Sequence, residues 1–181
     1  SKPTVLIFGG SQGSLKINQA VLGALPVFAK KDYQILYASG KRYFEEIDET
    51  IGMTKDAFKN ISIQPYIHNM TEVMVNCDLV ICRAGATSIA EITSLGIPAI
   101  LIPSPYVTND HQTKNAAALE KAGAVRMIKD QELTEENLIA TVDEIMQNKD
   151  LHGKMAQAAS RQGIVDASYR LYQLVLELTS K

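Results

Sequence analysis

Four consecutive apolar residues, Leu79-Val-Ile-Cys82, run straight into Arg-Ala-Gly-Ala, and this junction restricts the fold more than any other feature of the chain. An apolar run without alternation suits a strand buried on both faces, as in a parallel sheet. Ala84-Gly85-Ala86 then turns the chain with almost no side-chain bulk, so a ligand can approach the backbone closely. Thr87 or Ser88 is placed to cap the helix that follows, and the free N–H groups of that helix favour an anion. Glu91 falls one turn inside it. A carboxylate there can accept from both hydroxyls of a vicinal diol such as a ribose; it is also what the helix dipole favours near any N-terminus.

A second unit of the same kind opens the chain. Thr4-Val-Leu-Ile-Phe8 reads as a strand, Gly9-Gly-Ser-Gln-Gly-Ser14 as a glycine-rich loop, and Leu15, Asn18, Val21, Leu22 and Leu25 fall at helical spacing. Three chemistries compete for such a loop. A dinucleotide fingerprint needs glycines at positions 9, 11 and 14, where serines occupy 11 and 14, and the second strand at 34–38 ends in Ser-Gly-Lys with no acid for a ribose. A P-loop needs a Lys-Ser/Thr pair that is missing here. Gly9-Gly-Ser-Gln-Gly13 does fit the G-x-S-x-G elbow of serine hydrolases, with Asp78 or Asp110 and His111 or His152 as triad partners. Against that, the elbow follows the first strand, so no earlier strand supplies the second oxyanion donor. The remaining reading is that Ser11 and the loop N–H groups hold a phosphate.

Residues 41–51 read as an amphipathic helix and 61–64 as a third strand closed by Pro65. Tyr66-Ile-His-Asn-Met70 is then a strand-end loop before a helix at 71–76. In parallel sheets such loops line the ligand crevice, although packing alone explains Ile67 and Met70, and His68 suits a surface or capping role. Residues 99–102 form another buried strand, stopped by Pro103 and Pro105. A polar loop leads to His111 or Gln112, which opens a helix ending near Gly123, a natural C′ residue. The Gln112 amide can donate to and accept from a sugar hydroxyl, or simply face solvent. A further strand at 125–128 precedes helices at 134–147, 151–159 and 165–178. Strands alternating with helices predict an α/β, Rossmann-like, doubly wound parallel sheet of about six strands with a helical C-terminal tail.

Composition narrows the function classes. The 181 residues carry a net charge of −2 and no basic run, which gives no support to nucleic acid as a partner. Cys77 and Cys82 flank or occupy one strand, as reduced core thiols do in a cytosolic protein. With no apolar run near the ~20 residues that span a bilayer and no signal-peptide pattern at the start, we expect a soluble intracellular chain.

Taken together, Gly9-Gly-Ser-Gln-Gly13, Asn69-Met70, Ile81-Cys-Arg-Ala-Gly-Ala86, Ala90-Glu91, Pro103-Ser-Pro-Tyr106, Asp110-His-Gln112, Asn115-Ala116 and Leu119-Glu-Lys-Ala-Gly-Ala124 resemble the second half of the MurG family of GT-B glycosyltransferases. The resemblance implies that residues 1–181 are the nucleotide-sugar domain of an inverting N-acetylglucosaminyltransferase of peptidoglycan synthesis. The donor is UDP-N-acetylglucosamine and the acceptor is the C4 hydroxyl of a lipid-linked N-acetylmuramoyl-pentapeptide. It further implies that Gly10, Ser11, Gln12 and Gly13 meet the donor diphosphate, that Ile67 meets uracil through its backbone with Met70 nearby, and that Ala86, Thr87, Ser88 and Glu91 line the nucleotide. Gln112 and His111 would touch the sugar, and Arg83 would face the diphosphate or pair with a neighbouring acid. No cofactor or metal is implied, and no Asp-x-Asp stands near the diphosphate site.

Family members are about twice this length. On that pattern an N-terminal acceptor domain, with the catalytic base and the membrane-facing patch, would precede residue 1. The full-length protein would then sit at the inner face of the bacterial plasma membrane, and the present chain would bind donor without transferring sugar. A stand-alone nucleotide-sugar or phospho-ligand binding module is the other function class that the sequence leaves open.

Overall fold

The computed structural model describes residues 2–52, 57–107, 110–164, 172, 175 and 176. Six parallel strands form one sheet in the order β3-β2-β1-β4-β5-β6. They are β1 (Thr4–Phe8), β2 (Gln34–Ala38), β3 (Ile61–Gln64), β4 (Leu79–Cys82), β5 (Ala99–Leu101) and β6 (Val125–Met127). The helices are α1 (Leu15–Phe28), α2 (Phe44–Ile51), α3 (Met70–Val75), α4 (Ala86–Leu95), α5 (His111–Lys121), α6 (Glu135–Met146) and α7 (Lys149–Gln162). The expected strands all form. The helix expected at 41–51 starts three residues late, because Tyr43 is its N-cap. The helix expected at 165–178 lies outside the described residues, apart from Tyr172, Val175 and Leu176, which are helical.

Side chains alternate across a strand, and here both faces are covered. Val5 and Ile7 of β1 join one core with Ile17, Val21 and Phe28 of α1 and Leu138, Val142 and Ile145 of α6. Leu6 and Phe8 join a second core with Met74 of α3, Ile92 of α4 and Leu119 of α5. This two-sided burial explains why β1 and β4 read as unbroken apolar runs. At about 25 cal/mol per Å2, each fully buried Leu or Ile contributes roughly 1.5–3 kcal/mol.

The two helical layers also set the location of any ligand. From β1 the chain steps outward through α1 to β2 and on to β3. It then returns through α3 to β4, on the other side of β1, and continues to β5 and β6. The loops after β1 and β4 therefore leave neighbouring strand ends for opposite faces of the sheet, which opens a crevice at their carboxyl ends. In register, Ile7 of β1 sits beside Ile81 of β4, so the Gly9 loop and the Arg83 loop emerge side by side.

A buried polar tie fixes the first of these loops. The Tyr37 hydroxyl donates to Asn18 Oδ1 at 2.5 Å, and Asn18 Nδ2 donates to the Ser39 carbonyl at 3.0 Å, joining α1 to the end of β2. Directly above, Gly13 and Gly40 meet back to back, with φ of 79° and 89°. A Cβ on Gly13 would lie 2.2 Å from the Ser39 carbonyl oxygen, whereas one on Gly10 would meet nothing within 4 Å.

Gly10→Ala therefore carries backbone strain alone, about 1–2 kcal/mol for a positive φ. Gly13→Ala adds an immovable backbone clash and should cost at least about 2 kcal/mol more. Urea denaturation of both variants checks this, and equal midpoints would contradict the back-to-back packing.

Candidate functional site

The crevice holds two cavities, of about 750 Å3 and about 520 Å3, which share Phe8, Gly10, Gly85 and Ser88 at their junction. The smaller is walled by Tyr66, Ile67 and Met70 on one side and by Ala86, Thr87 and Glu91 on the other, with Ser11 above. The larger runs from Ser14, Lys16 and Gln19 at the start of α1, past Arg83, to Ser104 and Gln112. An apolar-walled pocket with one carboxylate thus adjoins a polar pocket with hydroxyl and amide groups. That pairing suits a ligand with a flat ring and diol at one end and a polyhydroxyl group at the other.

Between them lies the N-terminus of α4. The expected cap by Thr87 or Ser88 does not form: the N-cap is Gly85, with φ −70° and ψ 146°, and no side chain bonds to the first turn. Thr87 and Ser88 lie inside the helix, beyond the reach of a capping geometry. The consequence is an uncapped helix end, with N–H groups and positive dipole open to the cavity junction. By contrast, α1 has its own cap. Ser14 Oγ accepts from Ile17 N at 3.5 Å. The serine that breaks a dinucleotide fingerprint is thus the residue that starts the helix.

Arg83 ties the edge together. Its Nη1 donates to the carbonyls of Ile102 and Pro103, both at 3.2 Å, and to Asp130 Oδ1 at 2.5 Å, while Nη2 donates to Ser14 Oγ at 2.6 Å. One side chain at the end of β4 therefore holds the loop after β1, the end of β5 and the turn after β6. The guanidinium and Asp130 side chains are only 15% and 16% exposed. Of the two roles open in the sequence, the acid pair is formed, although Arg83 also borders the larger cavity.

The other candidate residues divide. Glu91 is half-buried in the wall of the smaller cavity and accepts from the Thr71 hydroxyl of α3 at 3.3 Å. Beneath it, burial pushes the Cys82 thiol up to about 12, with the Glu91 charge adding to the effect and a hydrogen bond with Ser88 opposing it. Cys77 is pushed up to about 11, by burial first and the Asp78 charge second. Gln112 borders the larger cavity, where its Oε1 accepts from Ser104 N at 2.9 Å. Gln12 and His111 are exposed and line neither cavity. His111 is excluded because α5 begins at that residue, after Asp110 with φ 53°, and presents Gln112 inward instead.

Ser14, Lys16, Thr71, Ser104 and Asp130 were not legible as site residues. Only their contacts across long stretches of chain bring them here.

The hydrolase triad is not assembled. Asp78 lies at the opposite edge of the sheet, where its carboxylate accepts from Thr4 N at 2.7 Å and its carbonyl meets His152 Nε2 at 2.7 Å. The length of β1, roughly 13–16 Å at about 3.3 Å per residue, separates them from Ser11. Asp110 and His111 share no cavity with Ser11.

Two outcomes follow from this geometry. Asp130→Asn leaves Arg83 charged and half-satisfied in a mostly buried setting. It should cost about 1–3 kcal/mol, between the surface and fully buried limits for a broken pair. A change in the unfolding free energy from urea denaturation below about 0.3 kcal/mol would show that the tie is unimportant. Both thiols should resist alkylation at pH 8 in the folded protein and react on unfolding, because the thiolate is the nucleophile. Rapid labelling of Cys82 in native buffer would contradict its burial.

Comparison with known proteins places this geometry. Residues 4–171 match the glycosyltransferase family 28 C-terminal domain. The UDP-N-acetylglucosamine--N-acetylmuramyl-(pentapeptide) pyrophosphoryl-undecaprenol N-acetylglucosamine transferase of Lactococcus lactis subsp. cremoris is 44% identical over 99% of this chain and 50% of the relative. The enzyme of the same name from Levilactobacillus brevis is 49% identical over 96% of this chain and 47% of the relative. The chain thus spans about half the length of the curated relatives it matches. The crystal structure of Acinetobacter baumannii MurG superposes with a TM-score of 0.82 at 29% identity, covering 98% of this chain and 52% of that one. A UDP-N-acetylglucosamine 2-epimerase from Listeria monocytogenes, at 18% identity and a TM-score of 0.72, shares the fold alone. With an all-parallel sheet in this strand order and a two-chambered crevice at its switch point, the chain belongs to the glycosyltransferase family 28 C-terminal domain family and has the fold of one half of a GT-B enzyme.

Proposed function

We propose that this chain is the donor-binding domain of an inverting N-acetylglucosaminyltransferase of peptidoglycan synthesis, with UDP-N-acetylglucosamine as its ligand. The observation that carries the reading is the uncapped N-terminus of α4 at the junction of two chemically different cavities. A nucleoside enters the smaller cavity with its base against Tyr66, Ile67 and Met70 and its ribose hydroxyls on Glu91. The diphosphate crosses the junction, over the N–H groups of α4 and the turn Gly10-Ser-Gln-Gly13. The sugar occupies the larger cavity beside Gln112 and Ser104.

In the transfer step an acceptor hydroxyl attacks the anomeric carbon and gives its proton to a base outside this chain, while the bond to the diphosphate breaks and UDP leaves with the electron pair. The N–H groups and dipole of α4 face the oxygens on which that charge develops, so the leaving group is stabilised by dipoles already in place. Among the described residues no three His, Cys, Asp or Glu side chains are grouped to hold a metal ion.

The relatives' names supply the acceptor, a lipid-linked N-acetylmuramoyl-pentapeptide. We assign its binding, the catalytic base and contact with the cytoplasmic face of the membrane to the half of those relatives that this chain does not cover. No described helix is long and apolar enough to cross a membrane. A binding module without catalysis is the weaker alternative, because the matching family consists of glycosyltransferases.

Calorimetric titration with UDP-N-acetylglucosamine, UDP-glucose, ADP-glucose and NAD tests the reading, and the first should bind tightest. Glu91→Ala should weaken UDP by roughly one to two decades, for the loss of charge-assisted bonds of about 1.5–3 kcal/mol. Glu91→Gln should lose part of that, and the melting temperature should hardly move. EDTA should leave UDP affinity within threefold. Equal affinity for NAD, or an unchanged affinity of Glu91→Ala for UDP, would contradict the assignment.

A further inference from the structure

Among the described residues, the charged side chains that border the two cavities are Lys16, Arg83, Asp130 and Glu91. They are not equivalent. Arg83 and Asp130 form an ion pair, so their charges cancel at the distance of a ligand. Glu91 lies at the far end of the smaller cavity, in the wall built by α3 and α4. Lys16 borders the larger cavity from the first turn of α1, is half-buried, and has no acid partner among the described residues. The other ion pairs among the described residues, made by Lys31, Arg126, Lys129 and Lys154, lie away from both cavities.

An uncompensated cation in that place is unexpected on structural grounds. A lysine in the first turn of a helix opposes the macrodipole and costs a few tenths of a kcal/mol or more, roughly 0.3–1. The first turn of α1 holds no acid to offset this, and no ion pair reaches Lys16 among the described residues. An anionic ligand at the cavity junction would offset it. The stem is flexible and the ammonium carries three donors, so the head can follow phosphate oxygens as their charge grows.

We infer that Lys16 is the cation that meets the donor diphosphate, and that Arg83, the more obvious candidate, is a positioning residue whose charge is already spent on Asp130. The inference rests on the proposed nucleotide site and assigns the balance of charge within it. The two ends of the crevice are then polarised. The carboxylate faces the hydroxyls of the nucleoside, and the free ammonium faces the phosphates. The mobile charge that this end of the site supplies to the diphosphate is then the Lys16 ammonium.

The test compares uridine, UMP and UDP on the wild-type chain and on Lys16→Met, Lys16→Arg and Glu91→Gln. Lys16→Met should weaken UDP about tenfold, leave uridine unchanged, and flatten the salt dependence of UDP binding. Lys16→Arg should stay within threefold of wild type. Glu91→Gln should weaken uridine and UDP by the same factor, which reports the nucleoside end independently. Equal loss of uridine and UDP in Lys16→Met, or an unchanged UDP-to-uridine ratio, would overturn the role of Lys16 while leaving the nucleotide site standing. Failure of the wild type to bind either ligand would overturn the site itself, and the role of Lys16 with it.

Discussion

The divergence of the chain at β1 and β4 governs everything else in this molecule. Two neighbouring parallel strands send their following helices to opposite faces of the sheet, and no side chain can close the gap that results. Two glycine-containing turns, Gly9-Gly10 and Gly85, line the gap because a backbone must approach closely there. The crevice is therefore a product of topology, and the side chains only decide what it accepts.

Given that gap, the edge needs to be held in shape. Arg83 and the Asn18–Tyr37 tie do this from two sides, one across the carboxyl ends of β4, β5 and β6, the other beneath the glycine loop. Both are polar groups inside a mostly apolar molecule, and both are well satisfied, as buried polar groups must be if they are to specify a geometry. The helix ends are divided in the same spirit. Where α1 carries its own serine cap, α4 carries none, so the start of α4 presents its N–H groups to the space between the cavities. The free charges then lie at opposite ends, Glu91 by the apolar walls and Lys16 by the polar ones.

Much of this was legible in the chain. The central strands β1 and β4 announced themselves, because a parallel strand covered on both faces is apolar throughout, while the edge strand β3 showed itself by alternation, Ile61 and Ile63 against the exposed Ser62 and Gln64. The glycine loop after β1 was placed correctly by its residues alone. The candidate residues Ser11, Ile67, Met70, Arg83, Glu91 and Gln112 all face the crevice. What could not be read were contacts set by neighbours distant in sequence. Ser14 looked like a missing glycine, yet its hydroxyl is held by Arg83, 69 residues away. Thr87 and Ser88 looked like caps, but the helix starts at Ala86 with Gly85 as its N-cap, so both lie inside the first turn. His111 carries the right chemistry and faces the wrong way, because the turn of α5 offers only one of two adjacent side chains to the cavity. Lys16 had no motif at all; it stands out only because the fold sets it on the cavity wall with no acid partner among the described residues.

The central claim is that one ligand bridges both cavities across the start of α4, at the carboxyl edge of the sheet. Amide chemical shifts of the 15N-labelled chain during titration with UDP-N-acetylglucosamine test it most directly. Large shifts should be confined to Gly10–Gly13, Ile67–Met70, Ala86–Ser88 and Gln112, with Thr4, Asp78 and His152 at the opposite edge unmoved. Shifts centred on Thr4 and Asp78, or limited to one cavity with α4 silent, would contradict it.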